Sequence, residues 1–241
     1  NGAQGQMTDP VLQVIERSNQ RGARMLSVAD LIEAGTLTRD QVAWLAARIE
    51  SGGSWLVGAR PGGAGKTAVM SALLGLLPAK TPVRLTVSGS GWETAVPGDC
   101  LVSYEISPGY YDAYIWGDDI RRFAQLGADG CRIVSNLHAD TLAEARDQIV
   151  KANGVPERLF DAFEVFLPIS VSGGFVSARR RVRTIHYCEG DEWRTLPDRR
   201  ERTEREERIA TFLDRCLDDG LRRVEEVRAA WLDWRGANPI N

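Results

Sequence analysis

The chain has 241 residues, 43% of them hydrophobic and 26% charged, which suffices for one substantial α/β domain with an appendage and is too ordinary for a disordered or fibrous protein. A net charge of −3 argues against a generally basic nucleic-acid coat, leaving only local basic patches. Cys100, Cys131, Cys188 and Cys216 show no CxxC spacing, so a zinc site or disulfide framework has little support, and no apolar run approaches the roughly 20 residues needed to cross a bilayer. The expected location is the cytoplasm.

Asn1 to Gln6, ahead of Met7, are expected to be a remnant outside the fold, and residues 1–26 an N-terminal extension. Ser27-Val-Ala-Asp30 and Thr38-Arg-Asp-Gln41 each set a hydroxyl three residues before an acid or amide, the signature of a capped helix start. After the second, Val42, Leu45, Ala46 and Ile49 form one apolar stripe, and Gly52-Gly53 ends it. Trp55 to Val57 reads as a short strand, followed by a glycine-rich loop and a helix over Thr67 to Leu77. Val83 to Val87 and Leu101 to Ile106 read as strands, Tyr111 to Leu126 as a helix and Arg132 to Leu137 as another strand. Thr141-Leu-Ala-Glu144 is a further capping box, opening a helix through Val150. Phe163 to Val171 and Val182 to Tyr187 read as strands forming an antiparallel edge about a Ser172-Gly-Gly174 turn. This alternation predicts a mostly parallel sheet flanked by helices over residues 27–197.

Beyond Pro197, the stretch Asp198 to Arg208 holds five arginines against five acids and reads as an exposed, charged connector or the first turns of a helix. Ile209, Phe212, Leu213, Cys216 and Leu217, then Gly220, then Val224, Val227, Trp231 and Trp234 predict a C-terminal helical hairpin, so residues 198–241 are taken as a connector plus hairpin.

The sharpest chemical signal is Arg60-Pro61-Gly62-Gly63-Ala64-Gly65-Lys66-Thr67 between a strand and a helix. Small residues let backbone N–H groups converge on phosphate oxygens. The helix start adds its dipole, Lys66 reaches the β- and γ-phosphates, and Thr67 ligates magnesium. Pro61, Gly62, Gly63, Ala64, Gly65, Lys66 and Thr67 are therefore the expected nucleotide-binding residues, with ATP and Mg2+ as cofactors. The formal motif asks for glycine where Arg60 stands, and Arg60 reads either as a phosphate or subunit contact or as a solvated loop residue. Glu105, at the end of an apolar strand, is the candidate to orient or deprotonate an attacking water, directly or through magnesium. His138, ending the next strand, is a candidate phosphate sensor, and an open parallel sheet should bring Lys66, Glu105 and His138 together at the carboxyl ends of its strands. Arg179, Arg180, Arg181 and Arg183 read better as a subunit interface or solvated edge than as a site for nucleic acid or anionic lipid, and Trp231 and Trp234 better as packing than as base-stacking surface.

These motifs in this order resemble the ATPases that drive type II and type IV secretion and pilus assembly, over about residues 27 to 235. Ser27-Val-Ala-Asp-Leu-Ile-Glu-Ala-Gly35 is similar to that family's approach to the P-loop, Ser135-Asn-Leu-His138-Ala to its histidine box, and Arg179-Arg-Arg-Val182-Arg-Thr-Ile185 to its arginine strand. Tyr104-Glu105-Ile106 stands in the place of its Walker B segment, and Cys216 to Val227 is most similar to the archaeal pilus and archaellum branch. The resemblance implies a RecA-like ATPase domain with Glu105 and His138 catalytic and Thr67 and Glu105 on the metal. It also implies a homo-oligomeric ring, a hexamer in that family, working against a membrane-embedded platform at the cytoplasmic face, with nucleic acid not required. The chain departs from the family at Arg60, Tyr104 and Ser107; its acidic box offers only Glu93, within Val87 to Glu93, and too few residues precede Leu26 for the family's N-terminal domain. Those departures leave open a second function, a nucleotide-binding regulatory or assembly subunit with weak or no hydrolysis, and a third, an unrelated P-loop kinase or DNA-handling ATPase.

Overall fold

The structure, a computed structural model, describes residues 9–19, 22–86, 92–109, 111–173 and 178–240. Asn1 to Gln6, the segment Val87 to Gly91 of the expected acidic box, and Gly174 of the expected turn lie outside the described residues.

A mostly parallel sheet forms the centre. Strand β1 (Trp55–Gly58) runs between β6 (Arg132–Leu137) and β7 (Val165–Ser172), parallel to both, and β3 (Cys100–Val102) and β2 (Val83–Leu85) extend the sheet beyond β6. On the far side of β7 the pairing turns antiparallel, through β8 (Arg179–Val182), β9 (His186–Glu189) and β10 (Glu192–Thr195). The antiparallel edge thus forms as expected, but the expected strand Val182 to Tyr187 divides into β8 and β9.

Strands buried on both faces read as near-continuous apolar runs, and here alternate residues serve two separate cores. Trp55 and Val57 pack with Cys100, Val102, Val165 and Leu167 on one face, while Leu56, Leu101, Ile133 and Phe166 face the other. The first face is covered by α1 (Pro10–Ser18), α2 (Val28–Glu33), α3 (Arg39–Glu50), α4 (Lys66–Leu74), α8 (Glu204–Asp218) and α9 (Val224–Ala237). The second carries α5 (Asp118–Ala128), α6 (Leu142–Arg146) and α7 (Glu157–Phe160). Helices α2 and α3 begin at the two expected capping boxes, with Ser27 and Asp30, and Thr38 and Gln41, answering each other's backbone N–H groups. Buried Arg132, at the start of β6, donates to the Ile49 and Gly53 carbonyls at 2.7 and 3.1 Å, satisfying acceptors left over where α3 ends.

Three expected elements are corrected. The run Leu101 to Ile106 is two strands, because after Ser103 the chain leaves β6: Tyr104 N–H and Ser103 Oγ both donate to the Ala113 carbonyl, at 2.8 and 3.0 Å. A separate β4 (Glu105–Ile106) then pairs with β5 (Tyr114–Ile115) and touches β6 at Leu137. The helix expected from Tyr111 begins only at Asp118, because Tyr114 and Ile115 are claimed by that pairing and Gly117 turns the chain at φ +62°. The helix opened by Thr141 leaves α-geometry after Arg146, passing into a π-turn over Asp147–Lys151. Helices α8 and α9 follow the expected apolar spacing about Gly220; α8 lies along α3, and Trp231 of α9 donates its indole N–H to the Leu76 carbonyl at 2.7 Å.

Candidate functional site

The site forms where β1 and β6 end and β4 begins. Strand β1 delivers the chain to the glycine-rich loop through Gly58, where a Cβ would lie 2.4 Å from the Ala139 carbonyl oxygen and 2.5 Å from the Phe166 ring. Only glycine lets the two strand ends approach so closely. Gly58→Ala is therefore expected to cost about 1–3 kcal/mol in urea unfolding, through strain between β1 and its neighbours; stability equal to the parent protein would refute this reading of the contact.

Pro61, Gly62 and Gly63 are exposed, Ala64 is buried, and Gly65 caps α4. Gly63 and Gly65 hold φ of +74° and +93°, the left-handed region that favours glycine. No side chain caps α4, so the N–H groups of its first turn and the positive end of its dipole face the loop. Thr67, in that turn, is half-buried. The loop is braced from β6: the Arg60 N–H donates to Asp140 at 2.8 Å, and the Arg60 guanidinium pairs with Glu144 at 2.6 Å. Glu144 also accepts from the Asp140 N–H at 2.8 Å, so Arg60 ties the loop to the start of α6. Arg60 is thus a brace within the chain.

The three expected reactive side chains meet. Lys66 Nζ lies 3.1 Å from Glu105 Oε1 and 3.4 Å from His138 Nδ1, and His138 Nε2 lies 3.7 Å from the same carboxylate oxygen. Lys66 also donates to the Ala59 carbonyl at 3.4 Å. Lys66 and Glu105 are buried, whereas His138 is half-exposed. The Lys66 contact to Glu105 has ion-pair distance without hydrogen-bond alignment, which leaves Oε1 a buried oxygen with no hydrogen bond of its own. Burial pushes the Glu105 carboxyl above the usual carboxylate range, and the charge of Lys66 opposes that push more than His138 does.

Tyr104, standing where the resemblance leads one to expect glycine, is buried and donates its hydroxyl to the Val14 carbonyl of α1 at 3.2 Å. Burial pushes its phenol up, so it stays protonated as a donor. The side chain pins the segment before Glu105 to α1. Asn136 of β6 donates to the Tyr104 carbonyl at 2.9 Å, filling the gap where the β3 ladder stops. Ser107 continues past β4, its N–H on the Ile115 carbonyl at 3.2 Å, and Glu93 is exposed between β2 and β3.

Sequence reasoning missed two contributors. Asn136 was hidden inside a strand motif, since nothing in a sequence shows which ladder bond will be missing. Arg180 lies on β8, and its Nε donates to the Gly63 carbonyl at 3.2 Å. The arginine run was visible, but its approach to the loop depends on the order β8, β7, β1.

Among the described residues, no group of three His, Cys, Asp or Glu side chains could hold a metal alone, and no helix is long and apolar enough to cross a membrane. No family model and no curated protein sequence matches the chain. Among solved structures it is similar to the VirB11 ATPase of the Brucella suis type IV secretion system, crystallised with sulphate, at 16% identity and a TM-score of 0.42, over 66% of this chain. The chain spans about half, 54%, of that protein's length. This likeness identifies neither family nor activity.

Proposed function

We propose that this chain is a P-loop nucleoside triphosphatase with a RecA-like core over residues 27–197, binding ATP with magnesium and hydrolysing it. The observation that carries this reading is the convergence of Lys66, Glu105 and His138, from three separate elements, within 3.1–3.7 Å at the mouth of the glycine-rich loop. Lys66 neutralises phosphate charge, and the unsatisfied first-turn N–H groups of α4 receive phosphate oxygens. Glu105 holds and accepts a proton from the attacking water, and His138 contacts the terminal phosphate region from the exposed side.

The Thr67 hydroxyl and the orphaned Glu105 Oε1 are hard oxygen donors of the kind magnesium takes, and two such side chains fit an ion completed by substrate phosphates and water. When bound there, magnesium supplies charge neutralisation at the phosphates.

In this reading the hydrolytic cycle drives a secretion, pilus or DNA-transfer machine through a homo-oligomeric ring, a hexamer by resemblance, at the cytoplasmic face of a membrane-embedded platform. Residues 198–241 form its appended helices, and nucleic acid is not required. Lys66→Ala is expected to weaken ATP binding at least roughly tenfold, since a hydrogen bond to a charged group contributes about 1.5–3 kcal/mol. Titration with a fluorescent ATP analogue measures it, and unchanged affinity would sink the site.

One observation favours a regulatory subunit with weak hydrolysis: Lys66 is paired to a buried Glu105, so the lysine is engaged before any phosphate arrives. Tight ATP binding without turnover, even at concentrations where the protein self-associates, would select that reading.

A further inference from the structure

Most arginines in this structure have an acidic partner within 4 Å, including Arg17, Arg24, Arg39, Arg60, Arg84 and Arg222. Arg179, Arg180, Arg181 and Arg183 make no ion pair among the described residues, as is also true of Arg48, Arg122, Arg132, Arg158, Arg199, Arg208 and Arg215, but these four stand together in one stretch at β8.

Arg180 has the most defined placement of the four. Residues 180 and 182 share one face of β8; Val182 is buried there, its N–H on the Thr36 carbonyl and its own carbonyl accepting from Gln41, and Arg180 reaches the loop. Its Nε donates to the Gly63 carbonyl at 3.2 Å, and its Cδ lies 3.1 Å from where a Cβ on Gly65 would stand. The glycine at 65 therefore serves both a φ of +93° and the close passage of this side chain. One neutral carbonyl leaves the remaining guanidinium donors free, and Arg180 lines a cavity of about 370 Å³ with Arg179, Arg181 and Gly35 that gives it room to move. Lys66 is buried at the start of α4, whereas Arg180 is exposed and meets the same loop at the Gly63 carbonyl.

We propose that Arg180 is a phosphate-binding residue of this site, contacting the terminal phosphate of a bound nucleoside triphosphate and thereby separating triphosphate from diphosphate. The inference rests on the nucleotide-binding reading above. The Gly63 carbonyl is the resting acceptor of the side chain. On binding, the guanidinium exchanges that neutral partner for charged phosphate oxygens, a bidentate pairing that the planar fork makes and a lysine cannot.

The test compares ATP and ADP affinities of the full chain by competition against a fluorescent nucleotide, for the parent, Arg180→Ala, Arg180→Lys, Arg181→Ala and Lys66→Ala. Arg180→Ala should lose roughly tenfold or more for ATP and under about threefold for ADP. Arg180→Lys should recover part of the ATP loss, and Arg181→Ala should change neither affinity. Thermal unfolding of ligand-free Arg180→Ala should match the parent, because the side chain is exposed and its one partner is a loop carbonyl. Equal loss for ATP and ADP would make Arg180 a brace of the loop and overturn the proposal, as would no loss while Lys66→Ala still abolishes binding. A parent protein that binds neither nucleotide would remove the nucleotide-binding reading itself, and this inference with it.

Discussion

Replacing Glu105 by glutamine is expected to lower the rate of ATP hydrolysis by roughly 10²–10⁴-fold while leaving ATP bound, the usual loss when a positioned general base is removed. The size follows from the placement: a buried carboxylate at the mouth of the glycine-rich loop, 3.1 Å from Lys66 Nζ, whose Oε1 has no hydrogen bond of its own. Glutamine keeps the shape and loses the proton acceptor. Burial sets the pH behaviour as well. The carboxyl of Glu105 is raised above the usual carboxylate range, so the active ionised form is lost at a higher pH than an exposed glutamate would need, and the acid limb of the rate profile is displaced upward.

The sign of the stability effect is opposite to that of an ordinary surface carboxylate. A raised folded-state pKa means that the folded protein holds this proton more tightly than the unfolded chain does. Its contribution is present below the unfolded value and lost as pH rises through the folded value. Glu105→Gln removes that slope. Denaturation curves at several pH values together with single-turnover hydrolysis check both effects; a glutamine variant with unaltered turnover would eliminate Glu105 as the base.

Glu50 carries the largest expected stability effect. Its carboxylate, fully buried at the end of α3, receives Arg205 Nε at 2.8 Å and NH2 at 2.5 Å, and Arg235 Nε at 2.6 Å. Arg205 also lies over the Trp234 ring at 4.7 Å, so one buried anion ties together α3, α8 and α9. Glu50→Ala leaves two guanidinium groups crowded without their anion and is expected to cost about 3–5 kcal/mol. In a chain of this size that corresponds to a fall in Tm on the order of 10 °C. The loss belongs to the broken partnership. A triple replacement of Glu50, Arg205 and Arg235 by leucine or methionine should therefore recover most of it, since apolar residues of similar volume often match a buried ion cluster. Calorimetry on both variants decides; a single alanine variant within about 1 kcal/mol of the parent would show that the cluster contributes little.

Residues 198–208, expected as an exposed connector or first helical turns, enter α8 from Glu204, and the cluster shows that not all of their charges are exposed. That stretch looked equally charged in both signs, yet Arg205 reaches a buried carboxylate 155 positions earlier, and no local pattern marks which arginine of a charged run will do so. The same holds for Tyr104 and Arg60. Each departed from the resembled motif, and each has a structural use, Tyr104 pinning α1 and Arg60 bracing the loop against Glu144.

What this sequence determined by itself was local. The capping pairs at Ser27 and Thr38, the glycines with positive φ at 63 and 65, the lysine that follows, and the apolar spacing of α3, α8 and α9 depend on neighbours a few residues away. That is enough to place a glycine-rich loop between a strand and a helix and to name Lys66, Glu105 and His138. Tertiary structure alone decided where the β3 run would break, that Tyr114 and Ile115 would be strand instead of helix, and that Arg180 would lie on the glycine-rich loop. These outcomes turn on which backbone donors find acceptors across the sheet and on strand order, pairings between residues from nine to more than a hundred positions apart that local propensity does not encode.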